Sequence, residues 1–192
     1  NLTTLEEGYG INLVSLATFA MEIYGDDPCT EFVPNMSGGA TKMDAKTQRL
    51  TSLMHKAISI IQFKEEAQIY EQHPKWNMQD RELFNFVDYE NGTILLDNID
   101  YKMLSNKFPT IDPKHPNKLT PEEKTLMGKL HHSFKVSEKL HKHIRQMLQH
   151  GCMYAIYNNN LLFHASVPLN ADGTLKEVEI YPGRKYSGRK LM

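Results

Sequence analysis

Two features of this 192-residue chain carry side chains suited to chemistry: one histidine placed at the end of a strand pattern, and a basic tail. His164 closes the apolar part of the run MYAIYNNNLLFHASVPL, residues 153 to 169. Tyr154, Ile156 and Tyr157 read as one short strand, the three asparagines that follow as a polar turn, and Leu161, Leu162 and Phe163 as a second strand apolar on both faces. A histidine delivered to a strand's C-terminal end can point a neutral ring nitrogen into a crevice and ligate a metal. The same place also suits an ordinary histidine held by a backbone hydrogen bond, and spacing alone leaves both open.

The tail GRKYSGRK, residues 183 to 190, gathers Arg184, Lys185, Arg189 and Lys190 around one tyrosine and two glycines. Such cations can receive the phosphate of a substrate or of an anionic effector; the plainer reading is a solvated loop. A further concentration of histidines, at 131, 132, 141, 143 and 150, is not read as a metal site. His141 and His143 are two residues apart and point to different sides of a helix, so a solvated helix face accounts for them. His131 or His132 could line a cleft if their helix packs beside the His164 strand.

The elements that must position these groups follow from periodicity. Residues 11 to 24 carry apolar side chains at Leu13, Leu16, Ala17, Ala20 and Met21, a helical stripe ending before Gly25-Asp26-Asp27-Pro28. The segment PNMSGGA, from Pro34 to Ala40, reads as a loop. A long helix follows, between Met43 and Gln72, with Leu50, Leu53, Met54, Ala57, Ile58 and Ile61 on one side, and His73-Pro74 stops it. LFNFVDYENGTILLD, from Leu83 to Asp97, reads as a hairpin of two strands turning at Asn91-Gly92. Pro109 to Pro116 is a proline-rich surface crossing.

Thr120-Pro121-Glu122-Glu123 then supplies a helix start, with a capping hydroxyl, a proline at the first position and a glutamate that reaches back to the cap amide. Leu126, Met127, Leu130, Leu140, Ile144, Met147 and Leu148 give that helix one buried stripe, with a break near Ser133 and Gly151 as its C-terminal cap. After Asn170-Ala171-Asp172-Gly173 turns the chain, Leu175, Val178, Ile180 and Tyr181 predict a strand that pairs with the one bearing His164. The class expected is α+β, helices packed with a small mixed or antiparallel sheet. Residues 1 to 150 are mainly helical with a hairpin near 84 to 97, and residues 151 to 192 supply strands.

Composition bounds the function. With 40% hydrophobic and 23% charged residues the chain is ordinarily globular, and a net charge of −1 implies no nucleic-acid partner. Two cysteines, Cys29 and Cys152, are too few for a disulfide framework, and no apolar run approaches the roughly 20 residues of a membrane span. The expectation is a cytoplasmic protein, in which the sequons at Asn1, Asn35 and Asn91 are chance matches.

Several segments together resemble one family. Thr4 to Cys29, TLEEGYGINLVSLATFAMEIYGDDPC, is similar to the segment that follows the Gly-Asn-His-Asp metal motif of class III fructose-1,6-bisphosphatases, the bacterial type with a calcineurin-like metallophosphoesterase core. Ser137 to Gly151 resembles the helix before that family's late histidine strand, the His164 run resembles the strand itself, and Pro168 to Met192 has the same look. The family's other metal motifs, Asp-x-His, Gly-Asp-x-x-Asp-Arg-Gly, Gly-Asn-His-Asp and a late Gly-His, are not found in this sequence. Ala165 stands where relatives are expected to have glycine.

The resemblance implies an internal fragment of a phosphatase that hydrolyses fructose 1,6-bisphosphate to fructose 6-phosphate and phosphate in gluconeogenesis, using two manganese or magnesium ions. In such sites the ions activate water and neutralise developing charge. His164 would bind one ion, while Arg184, Lys185, Arg189 and Lys190 would meet substrate or effector phosphate. Residues 1 to 150 would be an insertion or cap and 151 to 192 part of an α/β sandwich core. The rest of the same polypeptide and a second copy are the expected partners. Since one histidine cannot clamp two ions, the fragment alone is expected to be inactive. Two alternatives stand beside this: an oligomerisation or regulatory module built on the long helix, and a metallophosphoesterase acting on another phosphate ester.

Overall fold

Asp44 and Pro74 bound the longest helix of the computed structural model, which describes residues 2–34, 43–163 and 166–191. Asp44 Oδ1 accepts hydrogen bonds from the amides of Lys46 (2.9 Å) and Thr47 (3.0 Å), while His73, ahead of the proline, leaves helical geometry at φ −126°. The chain divides into two units, Asn1–Leu140 and His141–Met192. The loop expected from Pro34 to Ala40 lies, but for Pro34, outside the described residues.

In the first unit, α1 (Val14–Tyr24) packs against both the long helix α2 (Ala45–Gln72) and α3 (Pro121–Val136). Their shared core holds Leu16, Phe19, Ala20 and Tyr24 of α1, Leu53, Met54, Ala57, Ile60 and Ile61 of α2, and Leu126 and Leu130 of α3. On α1 the buried line runs 13, 16, 20, 24. Met21 lies about 100° round the helix from Ala20 and is 59% exposed, so it leaves the predicted stripe. Arg49 fastens α2 to the end of α1: its guanidinium donates to the carbonyls of Pro28 (2.6 Å) and Gly25 (2.8 Å). A fork of fixed geometry meets two acceptors at once there, where the last carbonyls of a helix favour a cation.

The predicted hairpin becomes three strands, β1 (Val87–Asp88), β2 (Thr93–Leu96) and β3 (Ile99–Lys102), antiparallel in that order. Leu83–Phe86 forms a short 3-10 turn instead of the strand expected there. Asn91-Gly92 does not make a two-residue turn. Asp88 pairs with Thr93 across four loop residues, Asp88 Oδ1 accepts from the amides of Glu90 and Asn91, and only Gly92 takes a positive φ, +67°. The two-residue turn is Asp97-Asn98, both residues at positive φ, and it creates the strand β3 that the sequence reading lacked.

Thr120 caps α3 as its sequence predicts, with its hydroxyl accepting from the Glu123 amide (3.2 Å) and the Glu123 carboxylate accepting from the Thr120 amide (2.8 Å). The break after α3 falls at Ser137, not Ser133. Ser137 is extended and buried, and its hydroxyl donates to the Tyr9 carbonyl at 2.7 Å. This resets the helical phase before α4 (Glu138–His150). Leu140 still packs on the core, but Ile144, Met147 and Leu148 are 45%, 67% and 79% exposed, which removes them from the expected stripe. Gly151 does end α4, its amide donating to the Met147 carbonyl.

In the second unit β4 (Tyr154–Tyr157) pairs with β5 (Asn160–Phe163), and Asn158 and Asn159 turn between them at positive φ. β6 (Val178–Tyr181) pairs with β7 (Arg184–Tyr186) and not with β5, correcting the predicted partner. Each pair is a two-stranded ribbon, so Leu161, Leu162 and Phe163 stay about half exposed instead of buried on both faces. The chain is α+β, and every strand pairing among the described residues is antiparallel.

Candidate functional site

The strongest concentration of buried polar groups lies on α2, on the face shared with the core. Ser52, Lys56, Ile60 and Lys64 recur every four residues there, each turned about 40° from the one before, so the four fan across about 120° of the buried side of the helix. Lys64 Nζ sits 2.8 and 3.0 Å from the Glu123 carboxylate oxygens and 2.7 Å from the Thr110 carbonyl, with both side chains fully buried. One turn-pair earlier, Lys56 Nζ donates to Asp27 Oδ2 at 2.5 Å and to Ser105 Oγ at 3.3 Å. Asp27 Oδ1 accepts from the Cys29 amide at 3.0 Å, which holds Cys29 in the left-handed region at φ 48°.

The environment acts on three neighbouring groups. Burial pushes the Asp27 carboxyl up, but the Lys56 ammonium and the Cys29 amide outweigh it and leave Asp27 below its ordinary value of 3.8. Burial raises the Cys29 thiol, and the Asp27 charge raises it further, so it is a poor nucleophile. Tyr24, whose hydroxyl lies 3.4 Å from Thr110 Oγ1, is pushed by burial up to about 12. A cleft of about 370 Å³ opens beside Asp27, lined also by Tyr24, Lys107 and Phe108. Asp27 and Lys56 neutralise each other, and Lys64 and Glu123 do the same, so the network ties α1, α2, α3 and the 105–110 loop together without leaving a free acid or base.

These four residues were not foreseen as a network; only Glu123 was, as a cap. The available signal was two lysines on an otherwise apolar helix face, eight residues apart.

The predicted site residues are placed differently. His164 and Ala165 lie outside the described residues. Arg184 and Lys185 are consecutive on β7 and exposed, so their side chains leave on opposite faces of the strand. Lys185 stands opposite Glu179 in register. Arg189 and Lys190 belong to a 3-10 turn, where Arg189 stacks its guanidinium 5.7 Å from the centre of the Tyr154 ring. The four cations therefore do not converge as one phosphate cradle. Gly188 of this turn has φ +50°, a left-handed conformation that disfavours a side chain, and a Cβ there would come within 2.8 Å of Leu175 Cδ1, so the leucine would have to shift. Among the described residues no three His, Cys, Asp or Glu side chains are grouped to hold a metal ion, and the five histidines between 131 and 150 join no such group. No helix of the described residues is long and apolar enough to cross a membrane.

The family described as Firmicute fructose-1,6-bisphosphatase matches the chain over residues 1–192. The protein named fructose-1,6-bisphosphatase class 3 of Phocaeicola vulgatus is 53% identical over 193 residues, covering 100% of this chain and 29% of the relative. Its namesakes in Bacteroides thetaiotaomicron and Clostridium novyi are 52% and 51% identical, again over the whole chain and over 29% and 28% of their own lengths. The chain thus spans less than a third of the curated relatives it matches. No solved structure matches it.

Proposed function

Because the chain belongs to the Firmicute fructose-1,6-bisphosphatase family, we propose that it forms part of a cytoplasmic phosphatase that hydrolyses fructose 1,6-bisphosphate to fructose 6-phosphate and phosphate in gluconeogenesis. The observation that carries this reading is the family match over the entire chain, with about half of the residues identical in relatives that bear that name. In this reading residues 1 to 150 are an insertion or cap, in keeping with their mainly helical make-up, and residues 151 to 192, which carry β4 to β7, supply strands of a calcineurin-like core.

Manganese or magnesium is the proposed cofactor, with His164 as the one ligand this chain contributes. The described residues do not by themselves fit a metal ion, so the remaining ligands are assigned to sequence outside this chain. Arg184, Lys185, Arg189 and Lys190 are proposed to meet substrate or effector phosphate singly, since the fold does not gather them.

The test is manganese-dependent phosphate release from fructose 1,6-bisphosphate by the full-length protein, wild type against His164→Ala, beside residues 1–192 alone. The reading expects activity in the wild type, a loss of orders of magnitude in the variant, and none from the 192 residues. Equal activity in variant and wild type would remove His164 from the metal site.

A second reading, an assembly module, is favoured by one observation: the exposed Ile144, Met147 and Leu148 lie along one face of α4. The long helix that first motivated it buries its apolar stripe inside its own unit. Light scattering that shows a concentration-independent monomer would end it.

A further inference from the structure

No described residue after Leu140 belongs to the hydrophobic core or packs against it. In the unit His141–Met192 the only buried residue among those described is Gly188, while Ile144, Met147 and Leu148 on α4, and most apolar side chains of β4 and β5, are about half exposed or more. The unit thus carries an amphipathic helix and two-stranded ribbons without an interior, and such a ribbon is marginal in water by itself. No staple replaces the core among the described residues: Cys152 is a free thiol, and no group of side chains could hold a metal ion. The register shows what cover β4 and β5 need. Tyr154–Phe163 and Ile156–Leu161 put apolar pairs on one face, and Ala155–Leu162 puts another on the opposite face. Strands apolar on both faces belong between two covering layers.

We propose that residues 141–163 are a docking surface for the rest of the same polypeptide, which covers the apolar line of α4 and both faces of β4 and β5, and that this region is ordered only when so covered. The inference rests on reading the chain as part of a longer phosphatase. The whole chain spans 29% of the length of one matched relative, so most of such a protein lies outside it and is long enough to supply two layers. A second copy is the poorer occupant on two grounds. A two-fold contact sets one patch against its own image, so it covers one face of the ribbon and leaves the other in water. From 141 to 150 the helix carries Lys142 and Arg145 and no acid, so two copies of α4 would meet with like charges opposed. The same charges call for an acidic rim around the surface that covers α4.

The experiment is amide hydrogen exchange, read by mass spectrometry, on the full-length protein at two concentrations about a hundredfold apart, beside residues 1–192 alone. Peptides of α2, whose core lies within the first unit, serve as the internal reference. Peptides from 141 to 163 should exchange about a hundredfold more slowly in the full-length protein than in residues 1–192, and equally at both concentrations. Ile156→Gln should speed exchange across residues 154–163 about tenfold in the full-length protein and leave α2 unchanged. Fast exchange of 141–163 in the full-length protein overturns the proposal, as does equal protection in residues 1–192 alone. Protection lost on dilution would give the surface to a second copy, and an Ile156→Gln protein that exchanges like wild type would leave the ribbon uncovered. Phosphate release by the same full-length sample keeps the two readings apart: an active enzyme with 141–163 unprotected ends the docking inference alone, and an inactive one with 141–163 protected at both concentrations ends the phosphatase reading alone.

Discussion

Lys64 and Glu123 meet in the interior of the first unit with neither side chain exposed, and the same carboxylate that receives the ammonium also closes the cap of α3. One glutamate therefore serves a helix start and a tertiary ion pair. Removing either partner strands a buried charge, a loss of about 3–5 kcal/mol. Lys64→Met and Glu123→Gln should each lower urea-unfolding stability by that order, and the double variant should lose much less than the sum. Additive losses would show that the two groups are not coupled.

Tyr24 predicts an alkaline transition. Its hydroxyl is raised from 10.0 to about 12, so the folded state holds the proton more tightly than the unfolded chain does. The corresponding stability, roughly 2–3 kcal/mol, is complete below pH 10 and is lost as pH rises from 10 through about 12. Tyr24→Phe should flatten the stability profile over that window in denaturant titrations. An unchanged slope would assign the transition to another group, Tyr89 first, since burial raises it also to about 12.

Asp27 predicts the opposite limb. Its carboxyl lies below 3.8 in the folded state, so its contribution is present above pH 3.8 and disappears as pH falls through the lower folded value. Asp27→Asn should reduce stability at neutral pH by leaving Lys56 buried beside a neutral amide, and should make the acid limb shallower. Circular dichroism between pH 2 and 6 reads both effects.

The phase reset at Ser137 predicts a contrast along one former stripe. Leu126→Ala, in the core, should cost about 2–5 kcal/mol. Leu148→Gln, 79% exposed, should change stability by no more than about 0.5 kcal/mol in the same assay. A large loss at Leu148 would mean that α4 is covered in solution.

The start of α3 and the end of α2 were legible because each is written locally, in the Thr120 capping box and in Pro74 as a stop, whereas the break after α3, expected near Ser133, falls at Ser137. The turns were less so. Asn91-Gly92 looked the better two-residue turn, yet Asp88 captured the loop amides and lengthened it, while Asp97-Asn98 supplied the tight turn without a glycine. The buried pairs were not legible because lysine is so rarely buried that position 56 or 64 reads as a solvated side, and the counter-charges at 27 and 123 are remote in sequence. Nothing local says that β5 pairs with β4 alone among the described residues, so its apolar run reads as an interior strand. His164, the residue on which the chemistry was first placed, lies outside the described residues.

The two buried lysines of α2 are eight residues apart, about 12 Å along the axis, and each has its acid on a different segment. A helix with a purely apolar face can slide by one turn against its neighbours and exchange one aliphatic contact for another. Here such a slip would carry Lys56 and Lys64 to places occupied by aliphatic or neutral side chains such as Ile60, stranding two cations and two carboxylates at once. The pairs thus work as a two-toothed key for α2: whatever net energy they add to the folded state, misaligned packings of this helix are removed from the set the chain can settle into.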